Sequence, residues 1–347
     1  MGILIAILIF CAIVIFHEFG HFLLAKKCGV QVNEFMLGLG PKLFGVKRGE
    51  TLFSIRLLPL GGACAMEGED GESDNPRAFH KKKAWQRFLI VFAGPGFNFL
   101  LAFILSVVLI GMIGIDYPTL AGVVEGSPAE EAGLREGDTI VRLNHKNIHF
   151  SHEMSLYFRL HQKETVRFTY ERDGVRHEVM VTPEYDEEEE RYKFGVQYSP
   201  DYEKANFLQM IQYAGYEVEY WIWSVIESLR MLFTGQVSFN DLAGPVGIVK
   251  VIGDTYTESK AVGGAFSAFV NMLNITILLS ANLGVMNLLP IPGLDGGRLI
   301  LTIIEMIRRK RIPIEKEGMI NFIGMILLIG LMLVVMGNDI RKIVMGV

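Results

Sequence analysis

Four long apolar runs constrain this sequence more than any other feature: Ile3 to Ala25, Phe88 to Ile115, Phe266 to Leu289 and Met319 to Met336. A hydrocarbon core about 30 Å thick takes roughly 20 residues of helix to cross, and a soluble core does not call for uninterrupted runs of that size. Inside lipid the backbone finds no water, so each run must satisfy its own hydrogen bonds as a helix. Four membrane-crossing helices are expected, in keeping with a 347-residue chain that is 50% hydrophobic. The first run has no basic segment ahead of it and no small-residue cleavage site behind it, so it reads as a retained span and not a cleaved secretory signal.

The remaining sequence divides around these runs. The expected layout is a first span at 1–25, a membrane-associated β region with a basic segment at 26–86, and a second span at 87–114. A folded polar insert follows at 115–200, then interfacial amphipathic helices at 201–262. A third span occupies 263–297, and 298–347 holds a short helix, the fourth span and a tail. The acidic block Asp186 to Glu190 within the insert reads as a solvated loop. Phe207 to Phe233 interleaves apolar residues with Glu217, Glu219, Glu227 and Arg230, which suits a helix lying at the interface, with Trp221 and Trp223 as anchors. Cys11, Cys28 and Cys64 have no framework spacing and imply no disulfide scaffold. A net charge of -5, unevenly placed, argues against nucleic-acid binding.

Lys/Arg excess marks the cytoplasmic side of a membrane protein. Eleven basic residues from Lys26 to Arg87 separate the first two runs, and Arg298, Arg308, Arg309, Lys310 and Arg311 follow the third. Both connections are expected in the cytoplasm, with the polar insert outside. Arg341 and Lys342 fall on the outer side, a violation the rule tolerates.

Within the first run stands His17-Glu18-Phe19-Gly20-His21. Ionisable residues inside a membrane helix are costly, which makes each a functional candidate. Histidines four apart lie on one helix face, one turn above the other, so both imidazoles can reach one zinc ion. Glu18 is rotated about 100° from the first of them, free to act as general base toward a water at the metal. Gly20 serves either plain packing or the close approach of a neighbour.

Catalytic zinc takes three protein ligands. The other ionisable residue at the end of a membrane run is Asp295, in the segment Asn287 to Gly297, where Pro290 and Pro292 end a helix and glycines allow tight turns. Non-helical backbone at membrane depth is tolerated only where it is buried or lines a wet cavity. The charge assignment brings this segment and the His17–His21 end of the first span into the same leaflet. Asn287 could donate hydrogen bonds to an oxyanion or a substrate backbone. A bland reading, a proline-rich exit loop with a turn aspartate, competes with this one.

Thr51 to Leu60 mixes β-branched and apolar residues between turn signals, and reads as a hairpin or small sheet dipping toward the membrane. A peptide bond within a helix is shielded until the helix unwinds, and a strand edge could then capture it by β-addition; Gly61 and Gly62, closing this stretch, are candidate substrate-contacting positions. His80, His145, His149, His152, His161 and His177 lie outside the spans and read as ordinary surface or loop histidines.

His17-Glu18-Phe19-Gly20-His21, the segment Asn287-x-x-Pro290-x-Pro292-x-Leu294-Asp295-Gly296, and their separation by a polar insert resemble the site-2 protease family of intramembrane metalloproteases, the M50-type subgroup with one PDZ domain. Gly94-Pro95-Gly96-Phe97-Asn98 and Ala243-Gly244-Pro245-Val246-Gly247 also resemble family segments, whereas Ala63 and Cys64 stand where an aromatic and a β-branched residue would be typical. Val123 to Ile140 is similar to the bacterial PDZ pattern of a strand, a Ser-Pro helix start and a Gly-Asp turn into the next strand. The resemblance implies a polytopic α-helical membrane protein of four transmembrane helices, with a membrane-associated β-hairpin or sheet and an inserted α+β PDZ domain at 115–200.

It further implies one Zn2+ per chain on His17, His21 and Asp295, with Glu18 as base and Asn287 beside the substrate. The implied activity is intramembrane endopeptidase action in a bacterial plasma membrane, with the site near the cytoplasmic leaflet. The implied partners are single-span membrane proteins, anti-sigma factors or remnant signal peptides, already cut by another protease. The competing readings are a non-proteolytic metal-binding membrane protein, such as a zinc carrier, and a PDZ scaffold; a carrier would show ligands in several spans or an internal repeat, and neither is present.

Overall fold

The structure, a computed structural model, describes residues 2–345 apart from 70, 188, 199–200 and 239–242. The chain forms two compact units, Met1–Leu105 with Trp221–Val347, and Ser106–Tyr220.

In the first unit the helices are α1 (Gly2–Lys27), the first part of α2 (Ala84–Ile113), the end of α5 (Phe207–Phe233), α6 (Pro245–Leu288), α7 (Asp295–Arg308) and α8 (Ile314–Met345). Four of these, α1, α2, α6 and α8, are long and apolar enough to cross a membrane. Helix α1 stops where Gly29 takes φ +70° and the Val30 N–H returns to the Ala25 carbonyl at 2.8 Å, with Lys26 and Lys27 at its negative dipole end. Helix α6 is broken at Gly264 (φ 71°, ψ −161°). The stretch before the break packs on α1, where Ile252 joins Ala6, Ile9, Ile13, Leu101 and Met272 in one apolar cluster. A carboxylate of α8 caps the start of α6: the buried Asp339 accepts the Gly244 N–H at 3.0 Å and the Gly247 N–H at 2.8 Å. No sequence signal singled out Asp339.

Strands β1 (Val32–Arg48) and β2 (Thr51–Met66) fold back on themselves, bent at Gly38 (φ +88°), Gly40 (φ +86°) and Gly61 (φ +80°). Val32 to Leu37 pair antiparallel with Met66 to Gly62, and Glu34 to Leu37 also face Leu52 to Ile55, the two numbers rising together. Phe44 to Arg48 pair with Ile55 to Thr51. The stretch from Gly62 to Met66 therefore has β1 on one side and no strand on the other among the described residues. Glu50, in the turn between the strands, ties this sheet to the end of α1: it pairs with Lys26, and with Arg77 at 2.5 Å.

The second unit runs β3 (Ile115–Asp116), β4 (Leu120–Val123), α3 (Pro128–Glu131), β5 (Thr139–Leu143), β6 (Lys146–Asn147), α4 (Ser151–Leu160), β7 (Val166–Arg172), β8 (Val175–Val181), β9 (Glu184–Asp186), β10 (Arg191–Lys193), β11 (Val196–Tyr198), β12 (Tyr202–Glu203), then the start of α5. Its main sheet has the order β6-β5-β7-β8, and β11 pairs with β4. Ser127 caps α3 through the Glu130 N–H, with Pro128 in the first turn. Asp138, fully buried after Gly137, accepts Arg172 Nε and Nη2, each at 2.7 Å, and the Arg135 N–H at 2.8 Å, which fixes the turn into β5.

Two expectations change here. The acidic block is an exposed turn, as expected, but it joins the hairpin strands β9 and β10 and is not bare of partners, because Lys193 bridges Asp186 at 2.7 Å and Glu189 at 2.5 Å. His149 and His152 are not free surface groups: His149 stacks on Tyr216 with centroids 3.7 Å apart, and His152 stands 3.6 Å from both Asp116 and Glu217. Burial pulls the His152 imidazolium toward the neutral form, yet its bond to Asp116 and the nearby Glu217 charge outweigh that and hold its pKa above the ordinary value.

Candidate metal centre

The buried residues of α1 are Ala6, Ile9, Ile13, His17, Gly20, His21 and Ala25. Their spacing of three and four traces one face of a helix, so the turn geometry that buries the apolar positions also turns both histidines inward. The two rings meet edge to face with centroids 4.9 Å apart, and their Nε2 atoms are separated by 3.3 Å.

Asp295 completes a triangle. Its Oδ2 lies 3.2 Å from His17 Nε2 and 3.4 Å from His21 Nε2. Pro290 and Pro292 end α6, Gly293 turns at φ +91°, and α7 then begins at Asp295 itself. The turn is tight enough that a Cβ on Gly296 would lie 2.1 Å from the Leu289 carbonyl oxygen, and one on Gly297 2.6 Å from that of Ile291.

This donor set fits zinc. Four ligands about 2.0–2.1 Å from a tetrahedral ion stand roughly 3.3–3.4 Å from one another, which is the spacing of these three atoms. Asp295 Oδ2 is buried and has no hydrogen-bond donor, an arrangement that is costly unless a cation completes it. Among the described residues, this is the one group of three or more His, Cys, Asp or Glu side chains placed to hold a metal ion.

The outer nitrogens are also provided for. His21 Nδ1 lies 2.9 Å from the Ile90 carbonyl, so Nδ1 carries the proton and Nε2 presents its lone pair to the ion. His17 Nδ1 lies 3.1 Å from the side-chain amide of Asn98, a fully buried residue whose Oδ1 has no partner. With His17 Nε2 turned to the ion, Nδ1 carries the proton, and a half-turn of that amide sets Oδ1 to accept the Nδ1–H. Ser280 Oγ of α6 donates to the Asn98 backbone carbonyl at 2.7 Å, which links three helices behind the site.

Two glycines let α1 and α2 approach this closely. A Cβ on Gly20 would stand 2.2 Å from the Ala93 carbonyl oxygen, and a Cβ on Gly94 would stand 2.3 Å from His21 Nε2 and 2.8 Å from His17 Cε1. Of the two readings open for Gly20, the structure selects close approach by a neighbouring helix. Gly94 and Asn98 carried no role in the sequence reading. An asparagine within an apolar run was the available signal, since a polar group in lipid needs a partner.

Glu18 is half-buried and has no hydrogen bond from any described protein group. Gly62 of β2 runs beside it, a Cβ there meeting Val14 Cγ1 at 2.9 Å and Glu18 Cγ at 3.2 Å. Gly61 has nothing within 4 Å of a Cβ and serves the bend. Asn287 sits half-buried in the last turn of α6, seven positions after Ser280, with no side-chain hydrogen bond among the described residues. The structure thus brings together His17, His21 and Asp295, sets Glu18 and Gly62 side by side, and leaves the Asn287 amide unengaged.

Comparison with known proteins gives a consistent result. Residues 5–331 match peptidase family M50. A provisionally named zinc metalloprotease of Clostridium acetobutylicum is 40% identical over 98% of this chain and 97% of its own. The zinc metalloprotease RasP of Bacillus licheniformis is 34% identical over 97% of this chain and 98% of its own. The Regulator of sigma-W protease RasP of Bacillus subtilis is 31% identical over 97% of each chain.

Proposed function

The chain belongs to peptidase family M50 and is a multi-pass membrane zinc metalloprotease; from that premise we propose that it cuts single-span membrane proteins within or beside their transmembrane segments, as a step of regulated intramembrane proteolysis. The observation that carries this reading is the 3.2–3.4 Å triangle of His17 and His21, on the membrane-length helix α1, with Asp295, the first residue of α7 after the turn that ends the membrane-length helix α6.

His17, His21 and Asp295 would hold the zinc, which when bound polarises the scissile carbonyl and lowers the pKa of the attacking water. Glu18, beside the triangle and unengaged by other side chains, takes the proton from that water and returns it to the leaving amide nitrogen. Asn287 donates its amide N–H to the developing oxyanion. Gly62 presents the free edge of β2 next to Glu18, where an unwound substrate segment can add as a strand, with no side chain to hold it off. Leu39, Leu43, Phe44, Ile55, Leu57 and Leu58 are large, apolar and exposed at the bent end of this sheet, which suits a hairpin dipping into lipid.

We read this site as lying near the cytoplasmic leaflet of a bacterial plasma membrane, which the Lys/Arg excess of the connections after the first and third spans supports. We read the Ser106–Tyr220 unit as an extracytoplasmic PDZ domain, on the capped helix after Ser127, the pinned Gly137-Asp138 turn and a cleft of 410 Å³ beside α4 and β11. It contributes no catalytic group. The B. subtilis relative is named for sigma-factor regulation, which makes an anti-sigma factor the substrate class proposed here, with remnant signal peptides beside it and a prior cut by another protease. Purified Glu18→Gln protein should keep its zinc and lose cleavage of a model transmembrane substrate in detergent. Cleavage at the parent rate would remove Glu18 as the base. Capture of a single-span protein by the same variant in native membranes would then identify the substrate.

A further inference from the structure

Helix α7 carries Asp295 at one end and Arg308 at the other, and its two faces differ. Leu299, Thr302 and Glu305 are buried, while Ile300, Ile303, Met306 and Ile307 are exposed. Past its end stand Arg309, Lys310 and Arg311, all exposed, with Arg309 in the left-handed region (φ 53°) where it turns the chain.

Two contacts join this basic end to the start of α2 and the segment before it, and a third closes the end on itself. Arg311 Nη2 donates to the Lys82 carbonyl at 3.2 Å. Arg87 and Glu305 form a buried ion pair, and Glu305 Oε1 also accepts the Ile312 N–H at 2.7 Å. Lys81 and Lys83 are exposed at the same place. Lys81, Lys83, Arg308, Arg309, Lys310 and Arg311 form no salt bridge among the described residues, although Glu315 and Glu317 open α8 nearby. Trp85 and Leu89 in the first turns of α2, just after Lys81 and Lys83, and Ile303, Met306 and Ile307 of α7, just before Arg309 to Arg311, are exposed. Unpaired cations and an exposed indole beside bare aliphatic side chains match the boundary between headgroups and acyl chains.

We propose that this patch is a binding site for anionic phospholipid headgroups, with the acyl chains against Ile303, Met306 and Ile307, and that the bound lipid holds the end of the helix that starts at Asp295. Each basic residue near an anionic membrane surface strengthens its attraction roughly fivefold, so four acting together exceed what a zwitterionic lipid can match. A membrane occupant is favoured over a soluble polyanion because the cations border exposed apolar surface on elements flanking the spans.

The test uses the full-length protein in nanodiscs of phosphatidylcholine with 30% phosphatidylglycerol, about a third of the lipid as an anionic headgroup. Phosphatidylglycerol retained per chain after detergent exchange is counted by mass spectrometry. The combined substitution Arg308→Gln, Arg309→Gln, Lys310→Gln and Arg311→Gln should lower retention at least tenfold, with zinc content unchanged. Lys81→Gln with Lys83→Gln, on a different element, should lower it severalfold and serves if the first variant does not fold. Replacing the three arginines by lysine should preserve retention. Retention equal to the parent in both Gln variants overturns the proposal. Displacement of the lipid by millimolar inorganic phosphate, on the order of free phosphate acting alone at such a site, overturns it in favour of a small-anion site.

Discussion

Helices α1 and α8 are both membrane-length with long apolar stretches, yet they sit in the fold differently. Helix α1 buries a continuous stripe from Ala6 to Ala25 against α2, α6 and the β sheet, and that stripe includes His17 and His21. Helix α8 exposes Leu331, Met332, Leu333 and Val334 in succession, a full turn facing outward. Glycines follow the same division: Gly20 of α1 has no room for a Cβ, whereas Gly318, Gly330 and Gly337 of α8 have nothing within 4 Å, and Gly324 alone on that helix is pressed, against Pro292. Apolar composition identifies a span. Where its polar and glycine positions meet a neighbour identifies what the span is for.

The contrast can be broken most sharply at Glu18. If α1 is the catalytic span, Glu18→Gln should cost about a thousandfold or more in turnover with zinc retained, read as kcat on a model transmembrane peptide. A loss shared with zinc content would move Glu18 from proton transfer to metal binding.

A smaller effect is expected behind the histidines. Asn98→Leu should weaken zinc about 10- to 100-fold, measured by competition with a chelator, because His17 loses the acceptor for its Nδ1–H. Asn98→Asp, which keeps an acceptor oxygen, should retain affinity. Equal weakening in both variants would assign Asn98 to packing.

The glycines sharpen the comparison further. Gly20→Ala should destabilise the protein by about 1–3 kcal/mol as α1 and α2 are pushed apart. Gly330→Ala, on the open face of α8, should be neutral or stabilising by up to about 1 kcal/mol from helix propensity. Thermal unfolding in one detergent distinguishes them, and equal losses would contradict the packing described.

The smallest effect concerns the anchor at the end of α1. Arg77, then Lys26, holds the Glu50 carboxyl down to about 2 from an ordinary value of 4.5. The sign follows from linkage: a carboxylate depressed in the folded state stabilises above its unfolded pKa and loses that stabilisation as pH falls toward 2. Amide exchange in the turn between β1 and β2 should therefore accelerate as pH drops from 4.5 toward 2, corrected for intrinsic rates, and Glu50→Gln should abolish the dependence. Partial exposure of the pair keeps the effect small.

Much of the site was legible because lipid makes polar residues expensive. His17, Glu18 and His21 stand out in an apolar run, and Asp295 follows two prolines that must end a helix. The spacing of four gave the shared face of the histidines, but no local pattern gave their distance to Asp295, which depends on a contact between residues nearly the whole chain apart. Asn98 and Gly94 were hidden for the same reason: their roles exist only across the α1–α2 contact. Asp339 reads as an ordinary end-of-span charge until its carboxylate is seen on the first turn of α6. The doubled pairing of β1 with β2 was likewise out of reach, since alternation in Thr51 to Leu60 announces strands without stating which neighbours they take.

The central claim is that an aspartate at the start of α7 and two histidines of α1 hold one ion, and the most direct measurement is the zinc content of purified Asp295→Ala protein beside the parent and Glu18→Gln. One zinc per chain in the parent and in Glu18→Gln, with loss from Asp295→Ala under the same chelator wash, is the result predicted. Full stoichiometry and parent-like affinity in Asp295→Ala would contradict it.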